Sequence, residues 1–193
     1  MRDLTEIRWH GRGGQGVKTA SLLLADAAFC TGKQVQGFPE YGPERMGAPI
    51  TAYNRISKDK IRVHSNIYDP DFVVVVDQTL LSSVDVTAGL KESGVLIINS
   101  DKNEDDIRKL LGGYKGKLAV VNAAAISEKN IGKNIPNTPM LGAVVKISGI
   151  IPLDDLTREM NTLFKKKFAS KPEVIDGNNK SILDAIEEVI LYE

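Results

Sequence analysis

Four glycines within six residues form the part of this chain best suited to bind an anion. They lie in Gly11-Arg12-Gly13-Gly14-Gln15-Gly16, between a strand pattern over residues 5–10 and a helix pattern over residues 17–31. Glycine has no Cβ, so its backbone takes positive φ angles and approaches a ligand closely. The N-terminus of the following helix directs free N–H groups and its positive dipole end toward the same place. The sequence therefore predicts a phosphate site.

The glycine spacing alone does not identify the ligand. Gly11, Gly13 and Gly16 satisfy the G-x-G-x-x-G pattern between a strand and a helix. A dinucleotide site also needs an acid at the end of the second strand, but the first acid here is Glu40, beyond that strand. The Walker pattern fails because Lys18 does not directly follow Gly16. A tight turn that binds nothing is the alternative interpretation.

A second loop, residues 39–49, follows the second predicted strand and is rich in glycine and proline. Loops at the carboxyl ends of neighbouring strands in an α/β sheet face one crevice, so both loops are expected to frame one site. Arg45 would pair with a phosphate, Tyr41 would stack on a base or a pantetheine arm, and Glu44 would orient Arg45. A rigid surface loop without a ligand is an equally good interpretation of this composition.

Few other residues offer chemistry. Cys30 is the single cysteine, which excludes a disulfide framework or a cluster held by this chain alone, and its helical pattern predicts a buried position. His10 and His64 fall at predicted strand ends, where packed or solvated histidines are expected. Asp77 ends the strongest strand, either as a polar contact of the site or as a cap for the residues after it. We expect no catalytic residue and no metal ligand on this chain.

The elements that position these residues alternate between strand and helix. The run from Asp71 to Asp77 is continuously β-branched, as in a strand buried on both faces. Residues 61–64 are predicted to form a hairpin with residues 50–57. The predicted strands are 5–10, 34–38, 50–57, 61–64, 71–77, 95–99 and 118–122, and the predicted helices are 17–31, 104–111, 123–131, 138–150, 153–168 and 179–192.

This alternation predicts an α/β protein, a three-layer α/β/α sandwich around a Rossmann-like mixed sheet that is mostly parallel and has an antiparallel hairpin. We expect residues 1–193 to form a single domain. The 25 basic and 25 acidic residues cancel, which argues against nucleic acid or a membrane surface as a partner. Without a signal-peptide pattern or a membrane-length apolar run, we expect a cytoplasmic location.

Three segments in this order resemble one family. They are the glycine run, Tyr41-Gly42-Pro43-Glu44-Arg45 with Gly47-Ala48-Pro49, and Asn137-Thr138-Pro139-Met140-Leu141-Gly142. Together they resemble the gamma subunits of 2-oxoacid:ferredoxin oxidoreductases, and most closely those of pyruvate:ferredoxin oxidoreductase (pyruvate synthase). The resemblance covers essentially the whole chain. Met46 departs from it, because related sequences often carry a second basic residue there.

The resemblance implies an enzyme of anaerobic metabolism that joins a 2-oxoacid to coenzyme A (CoA), releases CO₂ and reduces ferredoxin, reversibly. Thiamine diphosphate, Mg²⁺ and iron–sulfur clusters would reside on partner subunits of the alpha, beta and delta types, with ferredoxin as the electron acceptor. This chain would bind CoA, with the glycine loop on its phosphates and with Gln15 and the second loop near its thiol. The implied CoA-binding residues are Gly11, Arg12, Gly13, Gly14, Gln15, Gly16, Tyr41, Gly42, Glu44, Arg45, Gly47, Asn137 and Thr138.

Several alternatives stay open at the level of the sequence. The oxoacid could be 2-oxoisovalerate, 2-oxoglutarate or indolepyruvate, because the oxoacid pocket is expected on other subunits. A stand-alone nucleotide-binding oxidoreductase would need the ribose-binding acid that is missing. A non-catalytic assembly module would carry a vestigial glycine loop. For Asn137 and Thr138 the alternative is a helix cap, which is the commoner role of an Asn-Thr-Pro step.

Overall fold

A mixed β-sheet organises the protein, described here from a computed structural model for residues 4–40 and 46–193. Within these residues the sheet has seven strands in the order β2-β3-β1-β4-β5-β6-β7. The strands are β1 (Leu4–Arg12), β2 (Gln34–Pro39), β3 (Pro49–Ser57), β4 (Phe72–Val75), β5 (Val95–Asn99), β6 (Lys117–Val121) and β7 (Ile190–Tyr192).

The strand directions confirm the predicted mixed sheet. Strands β1, β4, β5 and β6 pair in parallel, while β3 runs antiparallel between β1 and β2, and β7 runs antiparallel on β6. The hairpin consists of β2 and β3, so the prediction that residues 61–64 pair with residues 50–57 is wrong. Both edges of β3 are already occupied, and residues 61–64 form no strand.

Helices cover both faces of the sheet, which gives the predicted three layers. In the described residues these are α1 (Val17–Cys30), α2 (Glu104–Leu110), α3 (Ala123–Ile131), α4 (Asn137–Ser148), α5 (Leu153–Lys167) and α6 (Pro172–Glu188). The larger apolar cluster lies between the sheet and α1, α3, α4, α5 and α6. A smaller cluster packs the other face of β4, β5 and β6 against α2 and the chain between β4 and β5.

The C-terminal part corrects two predictions. Helix α6 begins at Pro172, seven residues before the predicted start at residue 179, because proline at the first helical position needs no N–H partner. The helix ends at Glu188, and the next residues form strand β7 on the edge of β6 instead of a last helical turn. The composition of Ile190–Tyr192 fits a last helical turn as well as a strand, and pairing with β6 makes it a strand.

A polar chain of hydrogen bonds fixes α1 to the sheet and thereby aims its N-terminus. The indole Nε1 of Trp9 donates to Asn54 Oδ1 at 2.8 Å, and Asn54 Nδ2 donates to the carbonyl of Ser21 at 2.8 Å. Trp9 and Asn54 are fully buried, so both hydrogen bonds are shielded from water. These hydrogen bonds fix helix α1 over β1 and β3, and so fix the helix N-terminus that follows the glycine loop.

No helix in the described ranges combines the length and apolar character needed to cross a bilayer.

Candidate functional site

The glycine loop forms the junction between the end of β1 and the start of α1. Gly14 and Gly16 have φ angles of +95° and +76°, a region that glycine enters without strain. Gly16 is the N-cap of α1 and supplies no side chain to cap it. Among the residues that the structure describes, the N–H groups of Gly14, Gly16, Val17 and Lys18 have no protein acceptor. Such unpaired donors at a helix N-terminus favour an anion.

Gly16 is required for a second reason, its close contact with Asn137. A Cβ at position 16 would lie 2.5 Å from Asn137 Nδ2. Asn137 begins α4 and is 8 % exposed, and its Oδ1 accepts from the N–H of Thr138 at 2.9 Å. The third segment of the resemblance therefore lies directly against the glycine loop.

Arg12 fastens the glycine loop to the segment after it. Its Nη1 donates to the carbonyl of Gly47 at 3.0 Å, and its Nη2 donates to Thr79 Oγ1 at 2.9 Å. Backbone hydrogen bonds add to this link: the N–H of Gly13 donates to Ala48 at 2.9 Å, and the N–H of Gly47 donates to Gly13 at 3.1 Å. The Arg12 guanidinium is thus used largely within the protein, where it shapes the loop.

Asp77 is the anionic centre of this network. Its Oδ2 accepts from Gln15 Nε2 at 2.6 Å and pairs with Arg12 Nε at 3.3 Å. Its Oδ1 accepts from the N–H and the hydroxyl of Thr79 at 2.9 and 2.7 Å. Burial by itself raises the pKa of the Asp77 carboxyl, but the hydrogen bonds from Thr79 and Gln15, with the charge of Arg12, outweigh it and lower the pKa. Asp77 therefore stays ionised and holds the loop from beneath.

The Gln15 side-chain amide forms hydrogen bonds through both its oxygen and its nitrogen. Its Oε1 accepts from the N–H of Arg12 at 2.8 Å while its Nε2 donates to Asp77. The side chain therefore braces the loop from within.

An open cavity of about 420 Å³ lies over the unpaired N–H groups. It is lined by Gly13, Gly14, Gly16, Val17, Lys18, Thr19, Met46 and Ile50. The polar lining residues are the glycines with Lys18 and Thr19, and the apolar lining residues are Val17, Met46 and Ile50. An anionic group with an apolar extension matches this combination.

The structure brings together most of the predicted site residues that it describes. Gly11 to Gly16, Gly47 and Asn137 surround one junction, while Thr138 faces a neighbouring groove. Tyr41, Gly42, Glu44 and Arg45 lie outside the described residues. The sequence interpretation did not anticipate the role of Lys18 in lining the cavity or of Thr79 in bonding Asp77 and Arg12. The position of Lys18 in the first turn of α1 was the available signal.

The two histidines, expected to be packed or solvated, are one of each. His10 is buried, and its Nε2 accepts from Arg8 Nε at 3.0 Å. Burial, followed by the charge of Arg8, lowers the pKa of His10 to about 4, so its imidazole is neutral at physiological pH. His64 is exposed and lies outside any strand. Neither histidine is placed to act on a ligand at the glycine loop.

The prediction that Cys30 is buried is wrong. Cys30 is the last residue of α1 and is exposed, next to the exposed Phe29. The buried face of α1 runs through Val17, Leu24 and Ala28, and residue 30 falls on the opposite side of the helix.

Comparison with known proteins identifies the class of protein that this fold and loop belong to. A family model described as pyruvate ferredoxin/flavodoxin oxidoreductase matches residues 6–188. The match takes in both sides of the candidate site and nearly the whole chain. The chain therefore belongs to the pyruvate ferredoxin/flavodoxin oxidoreductase family.

Individual relatives narrow the assignment. The pyruvate synthase subunit PorC of Thermotoga maritima is 50 % identical over 184 residues, which are 95 % of this chain and 94 % of the relative. A subunit gamma common to the pyruvate and ketoisovalerate oxidoreductases of Thermococcus litoralis is 44 % identical over 190 residues, 98 % of this chain and 100 % of the relative. The predicted resemblance is thereby confirmed: this chain is a gamma-type subunit of a 2-oxoacid:ferredoxin oxidoreductase complex.

One solved structure agrees with this assignment, and a more distant one shows the same fold. The crystal structure of pyruvate oxidoreductase subunit PORC (EC 1.2.7.1) from Thermotoga maritima matches with a TM-score of 0.87 and 45 % identity, over 100 % of both chains. The 2-oxoglutarate:ferredoxin oxidoreductase of Magnetococcus marinus, solved with 2-oxoglutarate, coenzyme A and succinyl-CoA bound, shares the fold. Its TM-score is 0.72 at 19 % identity, over 96 % of this chain and 31 % of that chain.

Proposed function

We propose that this chain binds CoA on its glycine loop and holds the CoA thiol for the acyl transfer of a pyruvate:ferredoxin oxidoreductase. The observation that carries the proposal is the set of unpaired N–H groups at Gly14, Gly16, Val17 and Lys18, which face one cavity. The diphosphate of CoA is an anion of the kind that such donors bind. The apolar side of the cavity, at Met46 and Ile50, suits the pantetheine arm.

The contribution of this chain to the reaction is to position a substrate. A thiol held in line with the acyl group that it accepts reacts as if within one molecule, and this replaces a costly encounter between separate molecules. Thiamine diphosphate, when bound to a partner subunit, supplies the carbanion chemistry, and Mg²⁺ and iron–sulfur clusters also belong to partners. Here the loop residues bind the phosphates, while Arg12, Gln15 and Asp77 hold the loop in shape.

We propose pyruvate as the oxoacid, with alpha, beta and delta subunits as partners, ferredoxin as the acceptor and the cytoplasm as the location. The names of the Thermotoga maritima relative and crystal structure support pyruvate. The Thermococcus litoralis relative is named as common to pyruvate and ketoisovalerate enzymes, which supports an oxoacid pocket outside the gamma subunit and keeps 2-oxoisovalerate as the alternative. We also propose one domain over residues 1–193, since one sheet includes strands from both ends of the described chain.

The first test substitutes Gly14 in the assembled enzyme. Gly14→Val is expected to raise the KM for CoA by roughly tenfold or more. A side chain at this positive φ angle strains the backbone and moves the N–H group away from the phosphate, so at least one charge-assisted hydrogen bond is lost. Gly112→Val is the matched control, since Gly112 has a φ angle of +66°, follows α2 with open space around it and lines neither cavity. The KM for the oxoacid should stay nearly unchanged in both variants.

Lys18 provides a milder test of the same site. Lys18→Gln removes the cation at the cavity and is expected to raise the KM for CoA severalfold. Lys115→Gln is the control, because Lys115 is exposed and precedes β6, which β4 and β5 separate from β1. Equal increases in the KM values for CoA and oxoacid, or no increase in either, would contradict the proposed role.

The partners are tested by native mass spectrometry of the chain purified anaerobically from its host with a C-terminal tag. We expect larger subunits that carry thiamine diphosphate and iron–sulfur clusters. A free chain, or a homo-oligomer with a bound nucleotide, would contradict the proposal.

A further inference from the structure

A second cavity adjoins the glycine loop and plays no part in the site described above. This groove of about 340 Å³ lies between α1, α4, α5 and α6, and we call it the lysine groove. Its lining residues are Thr19, Leu23, Ile131, Lys133, Ile135, Asn137, Thr138, Phe164, Lys167, Phe168, Lys171, Val174 and Asn178. Thr19 also lines the cavity over the glycine loop, so the two spaces meet at the first turn of α1.

The lysine groove combines positive charge with an apolar floor. Lys133 follows α3, while Lys167 and Lys171 flank the turn between α5 and α6, and none of the described lining residues is acidic. Phe164 and Phe168 contribute ring surface, with their centroids 6.3 Å apart, and Lys167 Nζ lies 5.5 Å from the centroid of Phe168. Three cations around an aromatic floor match a ligand that has both an anionic group and a flat ring.

Asn137 stands where the groove meets the glycine loop, and it has a donor to spare. It is 8 % exposed and lines the groove. Its Oδ1 is used by the N–H of Thr138, whereas its Nδ2 has no acceptor within the described residues. This nitrogen is not sealed inside the protein, so an otherwise buried amide keeps one accessible donor for a ligand at the junction of the groove and the loop.

We propose that the lysine groove binds the adenosine 3′-phosphate end of CoA. This inference rests on the proposed function, since it needs the CoA diphosphate on the glycine loop. From there the two ends of the molecule diverge. The pantetheine arm follows the Met46 and Ile50 side of the first cavity, and the adenosine passes Thr19 and Asn137 into the lysine groove. The adenine packs on the aromatic floor, and the 3′-phosphate lies among Lys133, Lys167 and Lys171.

The test compares CoA with 3′-dephospho-CoA as substrates of the assembled enzyme. The variant replaces Lys133, Lys167 and Lys171 with glutamine. We expect the KM for CoA to rise by roughly tenfold or more, because the phosphate loses charge-assisted partners. The KM for 3′-dephospho-CoA should stay within about twofold, because that substrate lacks the group that the lysines bind. The unmodified enzyme should accordingly prefer CoA, and the variant should lose that preference.

A control variant carries the same loss of charge outside the groove. Lys165, Lys166 and Lys115 are exposed and do not line the groove, and two of them directly precede Lys167 on α5. Glutamine at these positions should leave the preference for CoA intact, which separates local binding from general electrostatic attraction.

Each other outcome overturns the inference in a recognisable way. Equal increases in KM for both substrates would show that the lysines do not bind the 3′-phosphate. Unchanged KM values, combined with a raised KM for CoA in Gly14→Val, would reject the lysine groove and keep the proposed function. Unchanged values in Gly14→Val as well would reject both. Failure of the groove variant to assemble, when the control variant assembles, would assign the groove to a subunit interface.

Discussion

Replacing Asp77 with asparagine tests whether the network beneath the glycine loop holds it in shape. The carboxylate accepts hydrogen bonds from Gln15 and from two groups of Thr79, and it pairs with Arg12. Asparagine has nearly the same shape but one acceptor oxygen. If that oxygen keeps the hydrogen bonds from Thr79, the new NH₂ group faces the NH₂ group of Gln15, and two donors cannot bond to each other. At least one donor then loses its partner, and Arg12 loses its counter-charge.

The structure sets the size of the effect. The Asp77 side chain is 12 % exposed, so water replaces little of what is lost. A hydrogen bond to a charged group contributes about 1.5–3 kcal/mol, so we expect Asp77→Asn to lower the free energy of unfolding by about 2–3 kcal/mol. For a chain of this length that corresponds to a fall in Tm of roughly 4–12 °C.

The assay is chemical or thermal denaturation of the isolated chain at neutral pH, with Asp85→Asn as the control. Asp85 makes the same local contacts, from the N–H and hydroxyl of Thr87 to its Oδ1, but it is exposed and has no partner like Gln15. Asparagine retains that oxygen, and the Asp85 charge is the smallest of the causes that set the pKa values of Arg8 and His10, so the control should change stability by less than about 1 kcal/mol. Equal effects in the two variants would refute a special role for Asp77.

The acid dependence gives Asp77 an independent signature. Its pKa is lowered in the folded state from the ordinary value of 3.8, so its stabilising contribution is complete above that value. The contribution is lost as the pH falls through the lowered pKa. The difference in stability between the unmodified chain and Asp77→Asn should therefore shrink at acid pH, and a constant difference would contradict this account.

Three further predictions concern the surroundings of the site. The pKa of His10 is lowered from 6.5 to about 4, so as the pH falls the unfolded chain takes up this proton before the folded chain does. The free energy of unfolding should therefore decrease as the pH falls from 6.5 to about 4, by at most about 3 kcal/mol. His10→Gln should remove this pH dependence from denaturation curves. Gly16→Ala should destabilise the chain by at least about 2 kcal/mol, against about 1 kcal/mol for Gly132→Ala, because both strain a positive φ but only the first collides with Asn137; equal losses in calorimetry would contradict that contact. Cys30 is exposed, so a thiol reagent should modify it in the folded chain. The reaction should be slower than with a free cysteine at the same pH, because a hydrogen bond with Glu159 is the largest cause that raises the pKa of the Cys30 thiol. A fully protected thiol would contradict the exposed position.

The central part of the fold was predictable because its sequence signals are local. The β-branched run around Val73–Val75 can only be a buried strand, and the glycine-rich junction between strand and helix follows from backbone freedom at Gly14 and Gly16. The boundaries of β5 and α3 agree with the prediction residue for residue. Each of these elements carries its own pattern of apolar spacing or capping.

The errors arose where distant contacts decide the structure. Residues 61–64 have strand-forming composition, but β1 and β2 already occupy both edges of β3. Ile190–Tyr192 continues the apolar pattern of α6 and nevertheless pairs with β6. Cys30 follows a helical pattern whose buried face ends before it. For the two strand errors the competing partner lies far away in sequence, where local patterns carry no information. The Cys30 error is different, because the spacing of the buried residues along α1 already places residue 30 on the opposite side of the helix.

The candidate site divides in the same way. The glycine loop and the nearness of Gly47 were expected from strand topology, while the link through Arg12, Gln15, Asp77 and Thr79 required coordinates. A basic residue such as Arg12 beside a phosphate loop suggests a ligand contact, but the Arg12 guanidinium donates to Gly47 and Thr79 of the protein itself. Side-chain pairing of this kind depends on rotamers that no spacing pattern specifies.

Hydrogen–deuterium exchange of the assembled enzyme with and without CoA tests the central claim most directly. The account predicts that CoA slows exchange at the amides of Gly14, Gly16, Val17 and Lys18, which gain acceptors from its phosphates. The first turn of α2 should stay unchanged, because Asn103 already caps it. Protection confined to other subunits, or no protection at these amides at saturating CoA, would contradict the claim that this chain binds CoA.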